Sequence, residues 1–293
     1  MGVIALFGPT GVGKTAVAVA LADRLRARGG RPVAVSADAL QVYRGLEVLT
    51  GAASESERAR LDHRLVSFLP VDRTFSAGEY ARLAHAEIDG LLEEGATPIV
   101  VGGTGLYLRA ALTDLDLRPP VPAEARARWE HRPSAELYAE LRTRAPHLAD
   151  RVPPSDRQRL VRSLALLEQG IEYPPPPDRL WTSETRRPTR LLALVMDRDA
   201  LYRAIDARVD AMVAAGAVED VRRADAAGAS VTARKALGFA ELLEGDVDAM
   251  KRRTRNYAKR QLTWLRKLAA AERIDVTGRS PEQVAAAIDS PAP

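Results

Sequence analysis

The amino-acid sequence predicts an α/β fold: a parallel sheet flanked by helices, with a helical insertion and a helical C-terminal part. Three observations lead there. Apolar runs of strand length recur at residues 3–7, 32–36, 99–101 and 191–195, short and continuous as in sheets covered on both faces. The first run empties into Gly8-Pro9-Thr10-Gly11-Val12-Gly13-Lys14-Thr15, which fits G-x-x-x-x-G-K-[ST], and an alanine-rich amphipathic run follows at 16–25. Between the third and fourth runs the texture changes to arginine-rich helical text bounded by prolines.

In chain order, the first loop has the strand–loop–helix context that turns backbone N–H groups, and a helix N-terminus, toward one anion. Lys14 is expected to reach the outer phosphates of a di- or triphosphate, and the Thr15 hydroxyl to ligate Mg²⁺. Gly29-Gly30 stops the helix, and the second strand is followed by Ala37-Asp38-Ala39-Leu40-Gln41-Val42-Tyr43-Arg44-Gly45. A carboxylate just past a strand's C-terminal end sits where open α/β sheets bind ligands. Equally, Asp38 caps the next turn, a common task for aspartate. Thr74-Phe75-Ser76-Ala77-Gly78-Glu79 opens a helix with capping chemistry that runs to about Glu94. The third strand empties into Gly102-Gly103-Thr104-Gly105-Leu106-Tyr107, where Thr104 either faces the phosphates held by Lys14 or serves as a helix N-cap.

Residues 119–187 read as a mainly helical insertion in a core formed by 1–118 and 188–293, with a return to the core near residue 154 as the alternative. Within it, prolines at 119–122 make a stiff linker and prolines at 174–177 close the region. Pro153-Pro154-Ser155-Asp156 opens a helix with Arg157, Gln158, Arg159 and Arg162 on its polar face. In the tail, one helix buries Ile205, Val209, Met212 and Val213, and a basic helix spans 248–273. The apolar stripe of that last helix is Tyr257, Gln261, Trp264, Leu265 and Leu268, in which Gln261 is a polar residue at a core position and so requires a partner.

The composition sets the remaining bounds. The 293 residues, 46% hydrophobic and 28% charged, suit an ordinary globular protein. With no cysteine, disulfides, thiolate metal sites and cysteine nucleophiles are excluded, and the four scattered histidines have no metal-ligand spacing. The net charge of +4 is clustered: Lys251, Arg252, Arg253, Arg255, Lys259, Arg260, Arg266 and Lys267 share a window without acidic residues, which suits either a phosphate-rich partner or a solvated helix face. No run is long enough to span a bilayer and no signal peptide fits, so a cytoplasmic protein with no membrane association is expected.

Taken together, the motifs resemble one family, the tRNA dimethylallyltransferases (tRNA isopentenyltransferases) among the P-loop prenyltransferases. Gly8 to Thr15 resembles the family's G-P-T-x-x-G-K-T, Asp38 to Gly45 its D-S-x-Q-V-Y-R-G, and Gly102 to Tyr107 its G-G-T-G-L-Y. Arg159 and Arg162 are similar to the arginines of N-D-x-x-R-x-x-R-A-L, and Thr254 to Arg266 to T-R-x-Y-A-K-R-Q-x-T-W-F-R. The chain departs from the family at Ala39, which replaces a serine, at Pro153-Pro154-Ser155-Asp156, which replaces H-P-N-D, and at Thr50-Gly51-Ala52-Ala53, which replaces T-A-K-P and loses a lysine. Arg44 and Arg64 are the cations considered as substitutes for it. The insertion is also shortened around its proline run.

The resemblance implies transfer of a dimethylallyl group from dimethylallyl diphosphate to the exocyclic amine of the adenosine next to the anticodon. It implies catalytic roles for Lys14, Asp38, Thr104 and Arg208, with Asp38 accepting the amine proton and the others stabilising the departing pyrophosphate. The diphosphate would lie on Gly8, Pro9, Thr10, Gly11, Val12, Gly13, Lys14 and Thr15, with Mg²⁺ at Thr15. The anticodon stem-loop of tRNA would be met by Asp38, Ala39, Leu40, Gln41, Thr104, Arg126, Gln158, Arg159, Leu160, Val161 and Arg162, Gln41 reading the adenine edge. A monomer is expected. The alternatives are an adenylate dimethylallyltransferase of the cytokinin-forming type, a P-loop small-molecule kinase, and an RNA-binding protein that has kept the fold without catalysis.

Overall fold

A computed structural model describes residues 2–115, 117, 121–171 and 182–290. They divide between two compact units, one formed by Met1–Leu115 with Leu180–Pro293 and the other by Asp116–Arg179. In the first unit, strands β1 (Val3–Phe7) and β2 (Pro32–Ser36) fall on the predicted runs, while β4 (Thr97–Gly102) and β5 (Thr189–Val195) extend theirs by a few residues. Two further strands, β3 (His63–Arg64) and β6 (Glu272–Asp275), complete a six-stranded, all-parallel sheet of order β3-β2-β4-β1-β5-β6. Because every strand is parallel, all C-terminal ends lie along one edge. β4 sits between β2 and β1, so the three motif-bearing exits are neighbours, with Phe7 paired to Gly102 and Ser36 to Val101.

Helices α1 (Lys14–Ala27), α2 (Glu47–Thr50), α3 (Glu55–Arg60) and α4 (Ala77–Glu93) connect the first four strands, and α5 (Gly105–Leu112) follows β4. α4 starts on a capping box in which the Ser76 hydroxyl accepts the Glu79 N–H and the Glu79 carboxylate accepts the Ser76 N–H, as the sequence predicts. α1 differs from expectation: six consecutive residues, Val17 to Ala22, are buried, so the helix is not amphipathic. It is covered on both sides, since Val284, Ala285 and Ile288 of the unforeseen C-terminal helix Pro281–Asp289 join the same core as Leu6, Ile99 and Leu192 of the sheet.

In the second unit, α6 (Ala123–Glu130), α7 (Ser134–Arg144), α8 (Pro146–Ala149) and α9 (Arg157–Glu168) enclose a core of Trp129, Leu137, Leu141, Leu148, Leu160, Val161 and Leu164. Asp156 caps α9 by accepting the Arg159 N–H at 3.2 Å. Arg157, expected on an open polar face, instead donates to the carbonyls of Glu130 and Arg132 at the end of α6. The prolines at 119, 120 and 174–177 lie outside the described residues. The polar stretch 182–187, placed by expectation in the insertion, belongs to the first unit: the Arg186 N–H donates to Leu112, and the buried Arg109 guanidinium donates to the Glu184 carbonyl.

After β5 come α10 (Arg198–Ala214), α11 (Ala217–Ala226), α12 (Phe239–Leu243), α13 (Val247–Lys267) and then α14 (Pro281–Asp289). α13 is shorter than the predicted 248–273, because Glu272–Asp275 leaves it to pair with β5 as an exposed edge strand. Its composition, Glu-Arg-Ile-Asp after three alanines, favours helix; pairing to a preformed sheet edge overrides that weak local preference.

Leu137 has no exposure in the core of the second unit. Leu137→Ala is expected to cost about 2–5 kcal/mol of unfolding free energy. Chemical denaturation measures it, and a loss below about 0.5 kcal/mol, typical of surface changes, would contradict this core assignment.

Candidate active site

Lys14, Thr15, Asp38, Gln41, Thr104 and Arg208 all line one cavity of about 860 Å³ in the first unit. The loop after β1 brings its part through two glycines in the left-handed region, Gly11 (φ 83°) and Gly13 (φ 88°). Gly13 is also the residue preceding α1, so the first N–H groups of that helix point into the loop. A Cβ at Gly11 would meet Ile205 of α10 at 2.8 Å, so packing as well as backbone angle requires glycine.

The Lys14 ammonium donates to the carbonyls of Gly8 (3.0 Å) and Pro9 (2.9 Å). Burial, helped by the neighbouring Arg208 charge and opposed by Asp38, pushes its pKa down to about 7. Arg208 comes from the half-buried side of α10 and lies against Gly51, donating to its carbonyl at 3.3 Å. Neither Arg44 nor Arg64 lines the cavity; Arg64 pairs with Asp62 at 2.9 Å. Two other cations lie beside the altered Thr50-Gly51-Ala52-Ala53 segment: Arg208, whose guanidinium a side chain at Gly51 would overlap, and Arg58, which donates to the Ala53 carbonyl at 2.9 Å.

Asp38 closes a turn and also faces the cavity. Its Oδ1 accepts the N–H groups of Leu40 (2.9 Å) and Gln41 (3.4 Å), an aspartate turn that fixes the carboxylate. Its Oδ2 has no protein hydrogen bond among the described residues, and the carboxyl group lines the cavity. Behind it, the buried Tyr80 hydroxyl of α4 donates to the Ser36 carbonyl at 3.0 Å, and the Ser36 hydroxyl donates to the Gln41 Oε1 at 3.0 Å. The Gln41 amide N–H donates to Gly51 at 3.1 Å, so this side chain is held from both ends with one donor and one lone pair to spare.

Thr104 sits at the N-cap of α5 without capping it through its side chain. Its Oγ1 is 3.2 Å from the hydroxyl of Tyr257, a cavity-lining residue of α13 that sequence reasoning counted only as part of an apolar stripe. The buried face of α13 is in fact Met250, Thr254, Ala258, Gln261 and Leu265; Tyr257 and Trp264 lie half-buried beside it. Gln261 has the partners its position demanded: Oε1 accepts the Thr10 N–H at 2.9 Å and Nε2 donates to the Gly103 carbonyl at 2.7 Å. One amide thus bridges the two glycine-rich loops.

Of the residues expected to meet tRNA, Asp38, Ala39, Leu40, Gln41 and Thr104 line the cavity. Arg126, Gln158, Arg159, Leu160, Val161 and Arg162 belong to the second unit. Arg126 pairs with Glu130 at 2.9 Å and Arg159 with Asp156 at 3.3 Å, both at exposed positions. Leu160 and Val161 are packed into the core of that unit, which leaves their side chains no solvent access. The basic helix is also partly committed: Lys251 pairs with Asp210, Arg253 with Glu241, and Arg255 with Asp206. Lys259, Arg260 and Arg266 are exposed and have no carboxylate partner among the described residues.

A glycine-rich loop at the exit of a central parallel strand, joined there by a lysine, an arginine, a carboxylate and a hydroxyl, defines a P-loop-like α/β protein with a polar cavity at its strand ends. The family described as IPP transferase matches residues 41–268. The tRNA dimethylallyltransferase of Rhodospirillum centenum is 41% identical, over 93% of this chain and 91% of its own length. That of Clavibacter sepedonicus is 37% identical, over 93% of each. The crystal structure of the full-length tRNA isopentenylpyrophosphate transferase of Bacillus halodurans has a TM-score of 0.70 and 29% identity, covering 98% of this chain and 94% of that one. The chain belongs to the IPP transferase family of tRNA dimethylallyltransferases.

Gln261→Leu strands the Thr10 N–H and the Gly103 carbonyl, each at about 1–3 kcal/mol. The expected outcome in denaturant titrations is a loss of about 2 kcal/mol or more. A variant within about 0.5 kcal/mol of wild type would show that the bridge carries no weight.

Proposed function

We propose that the protein transfers the dimethylallyl group of dimethylallyl diphosphate to the exocyclic amine of the adenosine next to the anticodon in tRNA, giving isopentenyladenosine. The observation that carries this reading is the convergence of Lys14, Asp38, Thr104 and Arg208 on a single cavity. The amine attacks the first carbon of the prenyl chain as the carbon–oxygen bond to diphosphate breaks, and the amine proton passes to Asp38. Its Oδ2 is the oxygen left open for that proton, while Oδ1 is held by the turn. Negative charge builds on the departing pyrophosphate, where the N–H groups of Gly11, Gly13, Lys14 and Thr15, the Lys14 ammonium, Arg208 and the Thr104 hydroxyl stabilise it. Placing an anion beside Lys14 restores the charged ammonium that burial disfavours.

Mg²⁺ fits the Thr15 hydroxyl at the start of α1. The described residues contain no cluster of three or more acidic or histidine ligands, so the remaining donors would be diphosphate oxygens and water, a set suited to this hard cation. When bound, it neutralises charge on the leaving group.

The target base must leave its stack in the anticodon loop to reach Asp38. Arg126, Gln158, Arg159 and Arg162 of the helical unit, residues 116–179, would hold the RNA, with Leu160 and Val161 contributing through their backbone alone. Lys259, Arg260 and Arg266 add a phosphate-attracting face, and Gln41 reads the adenine edge with its spare donor and lone pair. The tRNA dimethylallyltransferases among the relatives favour a tRNA acceptor over a free adenylate. The protein is taken to act in the cytoplasm as a monomer; no helix of the described residues is long and apolar enough to cross a membrane.

Incubation with labelled dimethylallyl diphosphate and either bulk tRNA or AMP tests this function. Label is expected in tRNA; label in AMP alone would move the assignment to an adenylate acceptor. Asp38→Ala is expected to lower turnover by about 10²–10⁴-fold while tRNA retention on filters stays near wild type. Near-normal turnover would remove Asp38 from the proton-accepting role. Lys14→Ala should abolish use of the diphosphate with tRNA retention intact, and a parallel loss of both would contradict this division of labour.

A further inference from the structure

A threonine at an N-cap ordinarily spends its hydroxyl on the first turn of its own helix. Thr104 does not: its Oγ1 is turned to the Tyr257 hydroxyl, 3.2 Å away across 153 residues of sequence. The same helix fixes the residues on either side, Gln261 through the Gly103 carbonyl and Trp264 by covering the Gly105 Cα so closely that a Cβ would overlap its ring. Tyr257, Gln261 and Trp264 are thus spaced i, i+4, i+7 on α13 and engage Thr104, Gly103 and Gly105. Tyr257 is itself steadied by Arg260, whose guanidinium lies 5.4 Å from the ring centroid.

The direction of the hydroxyl pair follows from its surroundings. A phenol is a stronger acid than an aliphatic alcohol, and burial with Asp38 nearby pushes the Tyr257 pKa up to about 12, so it keeps its proton at neutral pH. If Thr104 donated to Tyr257, the Tyr257 proton, and not the Thr104 proton, would be the one free to face an anion in the cavity. If Tyr257 donates to Thr104, the threonine proton is left to point there, and the chain of two hydrogen bonds polarises in one sense.

We propose that Tyr257 is a positioning residue for prenyl transfer: its hydroxyl donates to Thr104 Oγ1 and so directs the Thr104 proton to the departing diphosphate. This rests on the dimethylallyl transfer proposed above, in which Thr104 meets the leaving group. Tyr257 neither gains nor loses its proton in the cycle and need not touch either substrate.

Four forms of the full chain test it: wild type, Tyr257→Phe, Thr104→Ala and the double variant. Phenylalanine keeps the ring and its packing. Single-turnover transfer of label to tRNA is expected to fall about three- to tenfold in Tyr257→Phe, the weight of one hydrogen bond, with thermal stability and tRNA retention close to wild type. Added to Thr104→Ala, the same substitution is expected to change nothing further. Calorimetric titration with inorganic pyrophosphate and Mg²⁺ should repeat the pattern: weaker binding in Tyr257→Phe, and no added loss once Thr104 is gone. Losses that multiply in the double variant, or a defect confined to tRNA retention, would overturn the proposal. If wild type fails to label tRNA, the functional reading falls, while the pyrophosphate titrations still decide whether Tyr257 acts through Thr104.

Discussion

The amide of Gln261 is the contact on which the cavity depends. Two glycine-rich loops leave neighbouring strands with backbone groups that no ladder or helix satisfies, and a buried orphan N–H or carbonyl is costly. Gln261 supplies one acceptor and one donor at the needed separation, to Thr10 and Gly103, and so sets the distance between the loops. Glycine at 103 is what lets the amide come this near, and the same position brings the loop against Lys14. The position of Thr104 opposite the phosphate loop follows from that bridge.

Around it the charges are balanced unevenly. Lys14 and Arg208 both suffer from burial; Asp38 offsets both, joined by Glu57 at Arg208. The lining as a whole carries six cations, Lys14, Arg58, Arg208, Lys235, Arg253 and Arg260, against four carboxylates, Asp38, Glu47, Glu55 and Glu57, an excess of positive charge that the proposed diphosphate would offset. The carboxylate is meanwhile locked by its own turn and by the Tyr80–Ser36–Gln41 chain behind it. That chain also meets the cationic side of the cavity, because Gln41 and Arg208 both donate to the Gly51 carbonyl.

Much of this was legible in the chain. The glycine loop with its lysine, the carboxylate after the second strand and the Gly102-Gly103-Thr104-Gly105 exit each have a local signature, because turning a backbone around an anion leaves few residue types to choose from. Gln261 announced itself as a polar residue on an apolar stripe. Tyr257 gave no comparable signal, since an aromatic at helical spacing reads as core until its partner is known. The edge strand Glu272–Asp275 was hidden for a related reason: it is short, polar and helix-favouring, and only the neighbouring strand makes it extended. Arg157 looked like a solvent-facing cation and turned out to cap the end of another helix.

The sequence by itself determined the fold class, the strand exits that carry chemistry and the family to which the chain belongs, because backbone angle, residue type and short-range spacing are written locally. Tertiary structure decided which of those residues meet. It set β4 between β2 and β1, brought Arg208 to Gly51, and laid α13 across the Gly103–Gly105 turn. It also drew Leu160 and Val161 into a core. Those outcomes depend on contacts between segments far apart in the chain, formed when apolar surface and unpaired backbone groups leave water together, and no local pattern encodes them.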